Sequence, residues 1–258
     1  MKVLLSARGI TKRFGGLAAV SGLNLDVREG ELLGLIGPNG AGKTTVFNLL
    51  TGVYPPTEGH VEFDGRRLRR MRPYQAAHLG IARTFQNIRL FRRLSALDNV
   101  RVAAHVRTTA GFWSCLLRTA HAMRNDAVLT EKARALLGAL DLTSVAAAPA
   151  GDLPYGVQRR LEIARALATD AKLLLLDEPA AGMNPAEKQE LMELIHAIRR
   201  DFSVTVLLIE HDMRVVMGIC ERIYVLDYGQ VIAEGRPERI RSDPRVIAAY
   251  LGEESEPC

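Results

Sequence analysis

Apolar residues along this chain fall into distinct patterns, and each predicts a different kind of element. Glu31–Ile36 (ELLGLI), Leu173–Leu176 and Val204–Ile209 (VTVLLI) are short, nearly continuous apolar runs. Runs of that length suit strands buried on both faces, as in a parallel sheet flanked by helices. Leu5–Phe14, Ala18–Val27 and His60–Phe63 read instead as an antiparallel β portion near the N-terminus. Helical spacing marks Glu131–Leu140 (EKARALLGAL), the face Val157, Leu161, Ala164 and Ala168, and the set Leu191, Leu194, Ile195 and Ile198. Asp243–Leu251 suggests a short terminal helix, with an acidic tail expected to be disordered after it. The pattern predicts an α/β protein with a discontinuous core, residues 1–95 and 153–235. A mainly helical, Ala- and Leu-rich segment, 96–152, is inserted into it, and 236–258 form a C-terminal helix and tail.

What stands at the ends of the apolar runs changes the picture. Glu31–Ile36 leads into Gly-Pro-Asn-Gly-Ala-Gly-Lys-Thr at residues 37–44, followed by the helical pattern Thr44–Leu50 (TTVFNLL). Strand, glycine-rich octet and helix together fit the phosphate-binding pattern G-x-x-x-x-G-K-[ST]. Gly37, Gly40 and Gly42 let the backbone of Pro38, Asn39 and Ala41 curl into a nest of N–H groups, to which the next helix adds its positive end. Lys43 supplies a mobile charge for the β- and γ-phosphates, Thr44 a hydroxyl for Mg²⁺, and Thr45 follows at the helix start. Leu173–Leu176 ends in Asp177-Glu178-Pro179, and Val204–Ile209 ends in Glu210-His211-Asp212. Ligands of parallel sheets bind at the carboxyl ends of the strands. Three strands therefore deliver Lys43, Asp177-Glu178 and His211 to one edge. On charge grounds Asp177 holds Mg²⁺, Glu178 orients or deprotonates the attacking water, and His211 bonds and senses the γ-phosphate.

Size and composition exclude other classes. With 258 residues, 48% of them hydrophobic and 24% charged, the chain has room for one or two domains with a sizeable core. Its apolar runs are far too short to span a membrane, and Arg8 interrupts the N-terminal stretch before it reaches signal-peptide length. Cys115, Cys220 and Cys258 are far apart and have no metal-ligand spacing, which suggests reduced cytosolic thiols. The net charge of +5 is concentrated in Arg66, Arg67, Arg69, Arg70 and Arg72, with Arg89, Arg92 and Arg93 further on. That cluster is either a solvated basic face or a surface lying near anionic headgroups. No aromatic-interleaved basic stripe points to nucleic acid.

The motifs, in this order over essentially the whole length, resemble the ATP-binding cassette (ABC) ATPases of membrane transporters. The resemblance implies a P-loop NTPase (RecA-like) core with an antiparallel β subdomain and an inserted helical subdomain. It gives Phe14 in ITKRFGG the role of stacking on adenine. Gln86 in ARTFQN takes that of the glutamine reaching Mg²⁺ and the attacking water and coupling to the membrane subunit. Leu153–Gln158 (LPYGVQ), with Leu153 and Gly156, sits at the family signature LSGGQ, and Ala180–Asn184 (AAGMN) at the D-loop. Asn184 reads equally as that dimer contact and as the N-cap of a helix opened by Pro185. Trp113, the single tryptophan, either packs within the insertion or anchors the membrane subunit.

GIARTFQNIRLF, RRLEIARAL, LDEPAAGMNP, LLIEHDM and AAYLGEE narrow the resemblance to the ATPases of branched-chain amino acid importers. Those importers use two different ATPase chains, and residues 99–126 resemble the insertion of the longer one. Implied with it are ATP and Mg²⁺, a second ATPase chain (a heterodimer, with a homodimer as the alternative), two membrane permease subunits and, indirectly, a periplasmic or extracellular solute-binding protein. The implied place is the cytoplasmic face of the cell membrane, held peripherally. Importers of urea or other amides share much of the pattern and are the alternative, followed by a soluble cassette ATPase of repair or translation. Repair members carry a long coiled-coil insertion and translation members usually two cassettes, whereas this chain has neither feature. A small-molecule kinase has no use for the signature.

The signature itself departs from the family. Pro154 replaces the serine that contacts the partner's γ-phosphate, and Val157 replaces a glutamine. Helix-end electrostatics survive, while a charge-assisted hydrogen bond worth about 1.5–3 kcal/mol is lost. The departure implies two unequal ATP sites, the slower one facing this signature.

Overall fold

The computed structural model describes residues 2–68, 70–107 and 120–251. Arg69, Trp113, Cys115, Cys258 and the acidic tail lie outside them. The chain forms two compact units, Met1–Ala76 with Leu175–Cys258, and Ala77–Leu174.

The first unit carries two sheets. Strands β1 (Val3–Phe14), β2 (Leu17–Arg28), β4 (Glu58–Phe63) and β5 (Arg66–Leu68) make an antiparallel sheet in the order β2-β1-β4-β5. In β1 and β2 inward residues such as Leu5, Ala7, Leu23, Leu25 and Val27 are buried. Arg66 and Arg67 are exposed on the short edge strand β5. The second sheet is built on β3 (Leu32–Ile36), β7 (Leu173–Asp177), β8 (Thr205–Ile209), β9 (Arg222–Asp227) and β10 (Gln230–Gly235), in the order β10-β9-β3-β8-β7. β3 runs parallel to both β8 and β9, and β10 returns antiparallel. All residues of β3, β7 and β8 are buried, as their continuous apolar sequences require.

Helix α1 (Lys43–Leu50) follows β3, and α2 (Pro73–Leu79) runs across the division between the units. Later in the first unit come α6 (Pro185–Asp201), α7 (Met213–Ile219), α8 (Pro237–Ser242) and α9 (Pro244–Leu251). Leu191, Ile195 and Ile198 of α6 face the core. α9 matches the terminal helix expected at 243–251.

Arg222 ties the two sheets together. Its guanidinium donates to both Glu31 carboxylate oxygens (2.7 and 3.0 Å), to Asp26 Oδ2 (3.0 Å) on β2 and to Glu234 Oε1 (2.7 Å) on β10. Burial opposes its charge, yet the bonds from Glu31, Asp26 and Glu234 leave its pKa raised. Cys220, a buried free thiol, has its pKa pushed up by burial and is unreactive for that reason.

In the second unit β6 (Ile81–Arg83) lies beside the first residues of β7, where the Lys172 and Leu173 N–H groups donate to the Gly80 carbonyl. Helices α3 (Ala96–Ala104), α4 (Ala120–Ala139) and α5 (Tyr155–Ala168) pack on one another. They bury Val100 and Ala104, then Leu129, Ala133, Leu136 and Leu137, then Leu161 and Ala164. The amphipathic sequence predicted at 131–140 supplies most of α4's inward face. The 96–152 segment lies inside this unit, together with Gln86 and the signature helix α5.

Candidate nucleotide site

The octet is a tight loop between β3 and α1, and packing fixes two of its glycines, Gly37 and Gly42. Gly42 sits at φ 97°, and a Cβ there would stand 2.6 Å from the Ala19 carbonyl oxygen. At Gly37 a Cβ would strike the Leu226 carbonyl. No side chain fits in either place. Asn39 and Gly40 are exposed at the loop's crest, while Pro38 and Ala41 are buried. The Lys43 ammonium is buried under this crest, donating to the Gly37 and Pro38 carbonyls at 2.6 and 2.7 Å. Thr44 is exposed at the first turn of α1 and Thr45 half-buried beside it.

A hairpin that the sequence reading did not single out supports this loop. β9 and β10 are joined by Tyr228 and Gly229, both at positive φ (41° and 77°), the conformation of a two-residue hairpin turn. The Gly229 N–H donates to the Ala41 carbonyl at 3.0 Å, and its own carbonyl accepts from Ser21. A Cβ at Gly229 would lie 2.6 Å from the Ala19 oxygen. Tyr-Gly between two apolar strands was the available signal.

Phe14 closes β1 and is 45% exposed. Tyr54 meets it edge-on, centroids 5.6 Å apart at 78°, and the Lys12 ammonium lies 5.2 and 5.7 Å from the two rings. The predicted single ring is thus an aromatic pair with a cation beside it. Tyr54 follows α1 closely, its N–H bonded to the Asn48 carbonyl.

Asp177 ends β7 and is buried. Glu178, next to it, adopts φ 46°, a strained value for a non-glycine residue. Its N–H donates to the Ile209 carbonyl at 2.9 Å, so the carboxyl ends of β7 and β8 lie side by side. His211, two residues past Ile209, places Nδ1 4.0 Å from Glu178 Oε2. The His211 side chain is 59% exposed and that of Glu178 21%. The structure brings these two predicted residues together at one sheet edge.

Glu210, between them, is wholly buried. Oε1 accepts the Ala180 N–H at 2.7 Å, and Oε2 accepts those of His211 and Asp212 at 3.2 and 3.5 Å. Burial raises its pKa despite these donors. Asp212 caps α7 through the Arg214 and Val215 N–H groups and pairs with Lys188 of α6 at 2.5 Å. The bond from Lys188 lowers the Asp212 pKa. Asn184 forms a complete capping box with Glu187 at the start of α6, so its N-cap role is met.

Gln86, Leu153 and Gly156 belong to the second unit. Gln86 is exposed, and its carbonyl accepts from the buried Arg159 at 3.0 Å. Leu153 is buried, and Pro154 occupies the N-cap of α5 without a capping side chain. Gly156 sits in the first turn of α5, where a Cβ would meet nothing within 4 Å. Internal packing therefore does not demand glycine there.

The family model described as ABC transporter matches residues 20–181, and one described as branched-chain amino acid ATP-binding cassette transporter matches residues 230–256. The chain is 49% identical over 250 residues to the high-affinity branched-chain amino acid transport ATP-binding protein LivG of Salmonella typhimurium, covering 97% of this chain and 98% of that protein. Its identity to BraF of Pseudomonas aeruginosa is 48% over the same length and shares. Among solved structures, an ATP-binding cassette of an ABC transporter in its ADP conformation is 31% identical with a TM-score of 0.84, covering 98% of this chain and 100% of that one. A nucleotide-free cassette is 30% identical with a TM-score of 0.83, covering 96% and 98%. The chain therefore belongs to the ABC transporter family, as an ATP-binding, ATP-hydrolysing subunit.

Proposed function

We propose that this ATPase powers the import of branched-chain amino acids through separate membrane subunits. The observation that carries the solute class is near-half identity, over almost the full length, to LivG and BraF. No helix among the described residues is long and apolar enough to cross a membrane. The proposal therefore assigns translocation to two permease partners and places the chain peripherally on their cytoplasmic side, with a solute-binding protein acting on the far side. A second ATPase chain of the longer-and-shorter pair completes the assembly. A dimeric bacterial ABC transporter cassette, 26% identical with a TM-score of 0.76, supports pairing of two cassettes. So does the open space at Gly156, which leaves the start of α5 free for close approach.

In this reading Phe14 and Tyr54 stack on the adenine, and the backbone of residues 37–44 cradles the phosphates. Thr44 and Asp177 offer a hydroxyl and a carboxylate, hard oxygen donors that would suit a magnesium ion, and Gln86 takes the role that the family resemblance gives it. Such an ion neutralises charge on the phosphates. Lys43 shares that charge. Glu178 accepts the proton of the attacking water, and His211 hydrogen-bonds the γ-phosphate. The 4.0 Å approach of His211 to Glu178 favours the two acting on one phosphate.

Glu178→Gln tests the chemistry in the assembled transporter. ATP binding is retained and hydrolysis falls by about 10²–10⁴, the usual contribution of a general base. Hydrolysis at the native rate removes Glu178 from that role.

A further inference from the structure

Within the second unit a buried charge pair fastens the segment Phe85–Arg89 to the signature helix α5. Arg159 is wholly buried. Its Nη1 donates to the Phe85 carbonyl (2.7 Å) and Glu162 Oε2 (2.9 Å), and its Nη2 to the Gln86 carbonyl (3.0 Å) and Tyr155 Oη (2.9 Å). Glu162, three residues along the helix, accepts the N–H groups of Phe85 and Arg89 through Oε1, at 3.3 and 3.4 Å. Arg165 donates to the Arg89 carbonyl as well. Both the carbonyls and the amides flanking Gln86 are therefore held by one helix.

Stability alone does not explain the pair. Desolvation offsets most of what a buried ion pair gains, and apolar residues of similar volume commonly do as well. Here burial raises the Glu162 pKa in spite of Arg159, and Arg159 Nε is buried without a hydrogen-bond partner. What the pair supplies is geometry. A planar guanidinium held by four acceptors, with a carboxylate returning two backbone bonds, leaves the loop little freedom to shift against the helix. Tyr155, the helix's first residue, belongs to the same network, although the family signature LSGGQ has a glycine in its place.

We propose that Arg159, Glu162 and Tyr155 are positioning residues that hold the Gln86 loop and the start of the signature helix as one body, fixing Gln86 and Tyr155–Val157 in a common orientation. This rests on the roles proposed above for Gln86 and the signature. Gln86 and the signature are thereby held together by a polar clamp inside the second unit.

The test uses the full chain assembled with its partner ATPase and membrane subunits in proteoliposomes. Arg159→Met combined with Glu162→Met removes the polar contacts and keeps the bulk. The expected result is an unchanged or raised Tm, a KM for ATP within about twofold of native, and a kcat lowered about tenfold to hundredfold, as for loss of positioning away from the reacting atoms. Native kcat at native Tm overturns the proposal. A kcat loss that merely follows a fall in Tm, or a rise in KM without a change in kcat, does so too. Should the paired variant not assemble, Arg159→Lys keeps a charge against Glu162 without the guanidinium fork. In that variant a lowered kcat at native KM supports the clamp and a native kcat refutes it. Glu178→Gln in the same vesicles tests the underlying chemistry separately, since its continued hydrolysis defeats that reading whatever Arg159 does.

Discussion

The Glu210 carboxylate accepts the Ala180 backbone N–H at 2.7 Å, joining the loop after Glu178 to the loop that carries His211. Together with the bond from Glu178 N–H to the Ile209 carbonyl, this fixes the strained backbone of Glu178 from both sides. Glu210→Gln keeps one oxygen for Ala180 but turns an amide N–H₂ toward the His211 and Asp212 donors. In the assembled complex kcat is expected to fall about tenfold, equivalent to about 1.4 kcal/mol. Steady-state ATPase measurements with KM for ATP as the internal control decide it.

The same residue carries a pH signature. Burial raises the Glu210 pKa, so the folded chain binds this proton more tightly than the unfolded one. Its contribution to stability is fully present below the unfolded carboxylate value and is lost as pH rises through the folded one. The difference in Tm between the native chain and Glu210→Gln should therefore shrink as pH is raised above about 4.3, the ordinary glutamate value. A difference that grows with pH would reverse the assignment.

Gly229 links the β9–β10 hairpin to the phosphate loop. Gly229→Ala puts a methyl group 2.6 Å from the Ala19 carbonyl, at a φ of 77°. The expected result is a loss of about 1–3 kcal/mol from strain and displacement of the loop. Calorimetric Tm and titration with a fluorescent ATP analogue should both report it, with weaker nucleotide binding.

Tyr54 shares the exposed aromatic shelf with Phe14. Tyr54→Ala should weaken ATP binding about three- to tenfold, in line with about 0.5–1.5 kcal/mol for an aromatic pair, while Tyr54→Phe stays near native. Fluorescent-nucleotide titration distinguishes this shelf from a lone Phe14 contact.

Pro154 caps α5 without a side-chain acceptor. Pro154→Ser with Val157→Gln restores a capping hydroxyl and the polar contact missing from the signature. ATPase activity of the intact complex should rise. An unchanged rate with assembly intact would mean that the altered signature does not limit turnover.

Much of the site was legible because it stands at the ends of continuous apolar runs. Leu32–Ile36, Leu173–Asp177 and Thr205–Ile209 form the buried strands their sequences predict, and so Lys43, Glu178 and His211 could be assigned to one edge. The supports of the site were less visible. Gly229 acts by approach to Ala19, about 210 positions away in sequence, and Tyr54 by meeting Phe14 across two elements; neither contact leaves a periodic trace. Arg159 and Glu162 share the i,i+3 spacing of an ordinary solvent-facing helical pair, and only the packed structure shows them buried. Glu210 looked like part of a polar strand end, although its carboxylate is fully enclosed.

The most direct test of the account is uptake of labelled leucine by cells in which this chain is replaced by its Lys43→Ala variant. That substitution removes the ammonium buried in the phosphate loop. Loss of leucine uptake, restored by the native chain, is the predicted result. Leucine uptake at the native rate in cells with no redundant importer would contradict the account, and loss of urea uptake alone would reassign the solute.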